Sequence, residues 1–316
     1  MKEIIIGGVL VLTAILILIM TSCRLKKRKY TVASKKIFRE ITAVLISDLH
    51  ESRFGKRQGK LLQMVKVIAP DIIFITGDMV EDERDSYEID KMFSDENPAK
   101  MLLRALPEIA PCYMVLGNHE ANIPNVGELA DAIEELGIRV LHRHDTVSPD
   151  VYEEITVKSQ KILLCGADDP HYDRQEPCHK KTLIERIKDD KNRNGQIITA
   201  WRERLTREYS DVGERDCLTV LLSHRPEEYE LYRKLGFDAA FSGHTHGGQW
   251  RLPPFINGVY APNQGLFPRH AGGCYRYDGF VHIVSRGLTK KRMIRIFNRP
   301  EIPVVRFVPK SAINEK

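Results

Sequence analysis

Five short apolar runs in this chain each end in oxygen- or nitrogen-bearing side chains, and that repetition constrains the fold more than any other feature. Ile41–Ile46 runs into Ser47-Asp48-Leu49-His50, and Ile72–Ile75 into Thr76-Gly77-Asp78. Cys112–Leu116 runs into Gly117-Asn118-His119-Glu120, Leu218–Leu222 into Ser223-His224, and Phe237–Phe241 into Ser242-Gly243-His244-Thr245-His246. Runs of this length bounded by glycine and polar residues read as buried strands. Polar groups at several strand ends converge at the carboxyl edge of a sheet, where α/β proteins place their sites. The glycines let the backbone turn sharply there.

Each block alone is weak, because a Gly-Asp pair is an ordinary turn and a buried His is more often a hydrogen-bonded core residue than a ligand. Together they form a donor set of Asp, Asn and neutral His with no thiolate, which suits a pair of divalent transition ions. Two ions about 3.5–4 Å apart, sharing a carboxylate and a water, form a device for in-line attack on a phosphate.

These blocks resemble the calcineurin-like metallophosphoesterases over about Ile41 to Pro309, and within them a bacterial membrane-associated branch. The likeness rests on Ser47-Asp48-Leu49-His50, Gly117-Asn118-His119 and Gly243-His244-Thr245-His246-Gly247-Gly248-Gln249. Further matches are Gly166-Ala167-Asp168-Asp169-Pro170 and Ser285-Arg286-Gly287-Leu288. The resemblance implies an α/β fold, a four-layer αββα sandwich of two mixed sheets. It implies that Asp48, His50 and His246 hold one ion, that Asn118, His224 and His244 hold the second, and that Asp78 bridges them. His119 would bind no metal, would face the phosphate and would serve the leaving oxygen. The implied reaction is hydrolysis of a phosphate ester or diphosphate by a hydroxide shared between two divalent ions. Mixed oxygen and nitrogen ligands suit Mn, Fe or Zn, with Mn favoured. One position departs from the family: Glu120 stands where an Asp is usual, the carboxylate expected to orient His119 through its second ring nitrogen.

The first residues suggest a membrane anchor, residues 1–29, ahead of a catalytic domain over 37–310. Ile4–Met20 holds one polar residue, Thr13. Its Ile, Leu and Val residues supply on the order of −4 to −7 kcal/mol at a bilayer centre. Extended to Cys23, the run makes about 30 Å of helix, enough to span. Arg24, Lys26, Lys27, Arg28 and Lys29 follow it, so the positive-inside rule puts the domain in the cytoplasm. The alternative is an exported lipoprotein held through Cys23 of Met20-Thr21-Ser22-Cys23. Residues 1–36 carry eight Lys or Arg against Glu3, while the whole chain is +5, so the remainder is slightly acidic. A basic patch confined to the bilayer side predicts anionic lipid rather than nucleic acid as partner. Six cysteines without a Cys-x-x-Cys pair fit buried thiols in a reducing compartment.

Elsewhere the pattern predicts helices over Gln58–Ala69, Pro98–Leu106 and Val126–Leu136, and strands over Val151–Val157, Ile162–Cys165, Phe280–Val284 and Val304–Val308. Two surface helices are expected over Thr182–Asp190 and Gln196–Tyr209, and an acidic loop over Glu81–Asn97. Gly247–Gly273, rich in Gly and Pro, reads as a candidate substrate rim, where Trp250, Arg251, Phe255 and Arg269 either contact substrate or serve ordinary loop packing, and Arg286 is a minor candidate for a phosphate clamp. The substrate expected is a lipid-linked phosphate or diphosphate, such as a nucleotide-activated lipid. The alternatives are a soluble nucleotide and, in another class, a non-catalytic scaffold keeping the fold. Scaffolds of that kind lose a ligand or the leaving-group His, and here every position is filled.

Overall fold

Two six-stranded mixed sheets lie face to face, each covered on its outer side by helices. The structure, a computed structural model, describes residues 21, 23–82, 88–141, 152–173, 183–290 and 294–313. The first sheet holds β1 (Lys26–Ser34), β2 (Ile41–Ile46), β3 (Ile72–Ile75), β4 (Cys112–Met114), β5 (Ile138–Val140) and β14 (Glu301–Pro309). Their spatial order is β1-β14-β2-β3-β4-β5. The second holds β6 (Tyr152–Val157), β7 (Gln160–Ala167), β8 (Leu218–Ser223), β9 (Ala239–Ser242), β12 (Gly273–Tyr277) and β13 (Phe280–Val284), ordered β12-β13-β9-β8-β7-β6. A hairpin of β10 (Tyr260–Ala261) and β11 (Gly265–Leu266) stands apart.

The helices are α1 (Gly59–Ile68), α2 (Ile89–Met92), α3 (Pro98–Ala105), α4 (Asn118–Ala121), α5 (Val126–Glu134), α6 (Leu183–Glu208) and α7 (Tyr229–Lys234). Asn97 caps α3 by accepting the Ala99 and Lys100 N–H groups, with Pro98 in the first turn, where its missing N–H is not needed.

The alternation of side chains along each strand divides the apolar residues into separate cores. Ile41, Ala43, Leu45, Ile72, Phe74 and Phe307 face Ile162, Leu164, Val220, Leu222, Phe241 and Ile283 between the sheets. Val44, Ile46, Ile73 and Ile75 turn the other way, against Leu61 and Val65 of α1, Leu102 and Leu103 of α3, and Leu129 and Ile133 of α5. Leu163, Cys165, Leu221 and Ala240 pack on Trp201 and Leu205 of α6 and Tyr232 of α7. Each fully buried Leu, Ile or Phe contributes roughly 1.5–3 kcal/mol. Because β2 and β3 are buried on both faces, they read as unbroken apolar runs.

Several expectations change. Arg24–Lys29 was read as a charge cluster at a bilayer, yet Lys26–Lys29 open β1, which pairs in parallel with β14 from Lys26↔Glu301 to Ser34↔Pro309. Arg28 reaches Glu301 at 2.6 Å, and Val32 is buried. β1 is the edge strand, and lysines on an exposed edge discourage pairing with another chain. The domain therefore starts before residue 37. The single-pass membrane reading is corrected with it: among the described residues no helix is long and apolar enough to cross a membrane. Ile4–Met20, on which that reading stood, lies outside the described residues, and the cell-membrane localisation with a cytoplasmic domain is withdrawn. Further along, one continuous helix, α6, replaces the two helices expected.

Candidate metal centre

β2, β3, β4, β8 and β9 end on the same side of the interface between the sheets, and each delivers candidate residues. Among the described residues, Asp48, His50 and His246 form one group whose ligand atoms lie within 4.8 Å of one another, and Asp78, His224 and His244 form another. Asp78 touches both. Its Oδ2 is 3.1 Å from His224 Nε2 and 3.6 Å from His50 Nε2. Its Oδ1 accepts the His119 N–H at 3.0 Å.

The backbone is contorted to achieve this. Asp48, His50, Asp78, His244 and His246 all have positive φ, between 44° and 72°. Non-glycine residues rarely adopt that region, and when they do the surroundings over-determine it. The glycines are placed by contact instead. A Cβ on Gly117 would lie 2.3 Å from Asp78 Oδ1, and one on Gly243 would lie 1.9 Å from Ser47 Oγ.

The donor atoms fit a metal pair. Both ring nitrogens of His50, Nε2 of His224, Nδ1 of His246 and Oδ1 of Asn118 are buried without a hydrogen-bond partner. Buried polar atoms left so are costly, roughly 1–3 kcal/mol each, unless something binds them. Nδ1 of His224 meets the Thr76 carbonyl at 2.5 Å. An Nδ1–H donating there turns Nε2 toward Asp78, and that nitrogen would give up its proton when an ion binds beside it. His244 and His246 are held well below the usual imidazole range, by burial first. Burial also opposes charge on His224, but the carboxylates of Asp78 and Asp48 outweigh it and lift the ring to about 10. Asp48 is secured by Ser47 Oγ at 2.5 Å and by the His244 N–H at 2.8 Å. Asn263, in the β10–β11 loop, lies 2.9 Å from His244 Nε2.

Glu120 does not orient His119. Its Oε1 accepts the N–H groups of Met79 (2.6 Å) and Val80 (3.2 Å), and its Oε2 those of Asp78 (2.8 Å) and Gly117 (2.9 Å). The longer side chain thus ties the loop after β3 to the loop after β4. The carboxylate facing Nδ1 of His119 is Asp82, at 2.7 Å, with Glu81 at 3.7 Å. Glu81 also lies 3.4 Å from His50 Nδ1. Sequence reasoning passed over both, placing them in an acidic loop. Their signal was two carboxylates three and four positions beyond Asp78.

Behind the second group, Arg225 makes a bidentate pair with Asp169 at 2.5 and 2.7 Å. Arg286, the candidate phosphate clamp, is buried 3.4 Å from Glu301, and Arg251 donates to the Gly247 carbonyl. Trp250 and Phe255 remain exposed on the rim.

The profile of the calcineurin-like phosphoesterases matches residues 41–248 of this chain. A Caenorhabditis elegans protein is 28% identical over 233 residues, 71% of this chain but only 39% of the worm protein. The phosphodiesterase YaeI of Escherichia coli is 24% identical over 274 residues, covering 84% of this chain and 81% of that one. The UDP-2,3-diacylglucosamine pyrophosphatase LpxG of Chlamydia muridarum is 25% identical over 292 residues, 83% and 82% of the two chains. Among solved structures, a 5'-nucleotidase precursor from Thermus thermophilus aligns with a TM-score of 0.48 at 15% identity, over 80% of this chain and 50% of that one.

Proposed function

This chain belongs to the calcineurin-like phosphoesterase family, and from that premise we propose that it cleaves the diphosphate or phosphodiester link of a nucleotide-activated lipid. It is a metal-dependent phosphoester hydrolase. The observation that carries the reading is the pair of donor groups meeting at Asp78, with ring nitrogens of His50, His224 and His246 buried and unsatisfied.

Asp48, His50 and His246 would hold one divalent ion, Asn118, His224 and His244 the other, and Asp78 both. Manganese is the favoured metal, with iron or zinc also suited to these donors. Such a pair supplies Lewis acidity at the phosphoryl oxygens and an acidified water. The chain's own residues do the rest. The strained turns aim the ligands before substrate arrives, so little reorganisation is left for the reaction. His119 is 8% exposed, at the lip of the cluster. Its Nδ1 faces the Asp82 carboxylate at 2.7 Å, so Nε2 is the nitrogen that would serve the leaving oxygen, and proton transfer there is worth roughly 10²–10⁴ in rate.

Two observations support the lipid-linked diphosphate. LpxG is named for such a substrate. The loop leaving His246 also carries Trp250, Leu252, Phe255, Leu266 and Phe267, all between 49% and 84% exposed, where an apolar tail would find contact. A soluble nucleotide diester is the second reading, favoured by the name of the E. coli relative. Incubating the manganese-loaded protein with a UDP-diacylglucosamine and with a cyclic nucleotide, followed by mass spectrometry, separates the two. UMP and a lipid phosphate are expected from the first. Turnover of the cyclic nucleotide alone would replace the reading.

A further inference from the structure

A cavity of about 690 Å³ opens between the turn that follows His224 and the segment around β11, and the metal chemistry does not use it. One wall is the turn after His224, where Glu227 lies 3.5 Å from Arg225, the residue following that histidine. The other wall is the segment around β11, where Gln264 follows Asn263, the residue in contact with His244. The rings of His224 and His244 are 4.9 Å apart, so both walls are tethered to the same end of the cluster.

The lining is built, not incidental. Gln264 fastens the segment by accepting the His270 N–H (3.0 Å) and donating to the His270 carbonyl (3.2 Å). The His270 ring packs on Tyr229 at 4.0 Å between centroids and meets the Tyr277 hydroxyl at 2.8 Å. That gives the cavity a fixed aromatic floor. At the edge, Phe267 has a φ of +53° and a ring that is 65% exposed. A bulky residue in the left-handed region, with an apolar ring held in water, is doubly unfavourable unless the ring has something to meet. Its N–H donates to the Val259 carbonyl at 2.8 Å, which fixes the posture. Within the wall, Oε2 of Glu227 is a buried acceptor with no hydrogen-bond partner. Glu228, beside it, is already taken by Arg202 at 2.7 Å.

An exposed flat ring, an unsatisfied carboxylate and a space within the usual range for small ligands describe a site for a flat heterocycle bearing hydroxyl groups. We propose that this cavity holds the nucleoside of the substrate, with the base against Phe267 and the ribose hydroxyls donating to Glu227. The inference rests on the nucleotide-activated reading above and names where that nucleotide sits. Carboxylates accept ribose hydroxyls in other nucleotide sites for the same reason: a hydroxyl donates and an ionised carboxylate only accepts.

The test uses the manganese-loaded full chain, with hydrolysis of bis(p-nitrophenyl) phosphate as the signal. UMP, AMP, ribose 5-phosphate, octyl phosphate and methyl phosphate serve as competing probes. UMP and AMP are expected to inhibit about tenfold more tightly than methyl phosphate, the gain of one stacked base. Phe267→Ala should remove that gain for the nucleotides and leave ribose 5-phosphate where it was. Glu227→Gln should weaken the nucleotides and ribose 5-phosphate together, several-fold, relative to methyl phosphate. Equal inhibition by nucleotides and methyl phosphate overturns the assignment. So does a gain for octyl phosphate through Phe267 without one for UMP, which would make the cavity a tail site. Calorimetric titration of UMP and methyl phosphate reads the same ratio without turnover. Absent hydrolysis therefore counts against the phosphohydrolase reading, and equal titration counts against the cavity.

Discussion

The carboxylate of Asp82 stands 2.7 Å from Nδ1 of His119, in the role that the family's usual Asp at position 120 would have. Its other oxygen takes the Asn122 amide at 2.9 Å, so the carboxylate is itself fixed. As a positioning residue it would set which ring nitrogen of His119 faces the reacting phosphate. Asp82→Asn should lower kcat roughly 10- to 100-fold, and His119→Ala roughly 10²–10⁴. Metal content, measured by mass spectrometry of the purified protein, should stay near wild type in both. The loss should shrink for a p-nitrophenyl leaving group, which departs without a proton. A uniform loss across leaving groups would assign Asp82 a purely structural part.

Glu120 has a different task, and its failure should look different. Four N–H groups from two loops end on its two oxygens, and it is fully buried. Glu120→Gln turns one acceptor into a donor facing N–H groups. With about 1–3 kcal/mol lost for each stranded group, the fold should lose roughly 2–5 kcal/mol. The melting temperature should fall by roughly 5 °C or more. Because Asp78 and Asn118 sit on the two loops it joins, manganese affinity should fall as well. Calorimetric melting with a manganese titration measures both, and an unchanged melt would remove Glu120 from this role.

Asp78 is the residue on which both donor groups depend. Chelation should abolish hydrolysis of an aryl phosphodiester in the wild-type chain, and added Mn²⁺ should restore it. Asp78→Ala should bind neither ion and stay inactive at any Mn²⁺ concentration. The metal should also raise the melting temperature of the wild type, since it binds the folded chain alone and relieves the orphaned nitrogens. Retained turnover in metal-free Asp78→Ala protein would end the two-metal reading.

The strands that deliver the candidate ligands, and the polar turns that end them, were legible because their signals are local. Apolar runs such as Ile72–Ile75 and the polar turns after them follow from burial on both faces and from glycine at the bend. Three features were not. β1 is half-exposed and lysine-rich, so its sequence reads as a charge cluster, and only pairing with β14 makes it a strand. β5 is three residues long, with Arg139 exposed at its centre, too short for a period to emerge. Asp82 lies four residues past Asp78 in an acidic stretch, and nothing local separates the carboxylate that meets His119 from those that meet water. What Glu120 does was open for the opposite reason: its neighbour in sequence is His119, but its partners are backbone groups 40 to 42 residues earlier and three residues earlier.

The pair of Asp169 and Arg225 makes the last prediction, and its sign follows from burial. Both side chains are nearly inaccessible, at 0% and 4% exposed. Burial alone would raise the Asp169 carboxyl, but the Arg225 guanidinium, with His171 3.9 Å away, outweighs it and holds the group at about 2. An unfolded Asp titrates near 3.9. The folded value is the lower one, so the contribution is complete above about pH 4 and is lost as pH falls toward 2. Asp169→Asn leaves Arg225 charged and buried without its counter-charge, a loss of about 3–5 kcal/mol at neutral pH. Denaturant midpoints at pH 7, 4 and 3 should show the gap between wild type and variant wide at the first two and narrowing at the third. Since Arg225 follows His224, the variant should also bind Mn²⁺ more weakly at pH 7. A gap that stays constant down to pH 3, with unaltered Mn²⁺ affinity, would mean that the pair neither titrates with folding nor supports the second donor group.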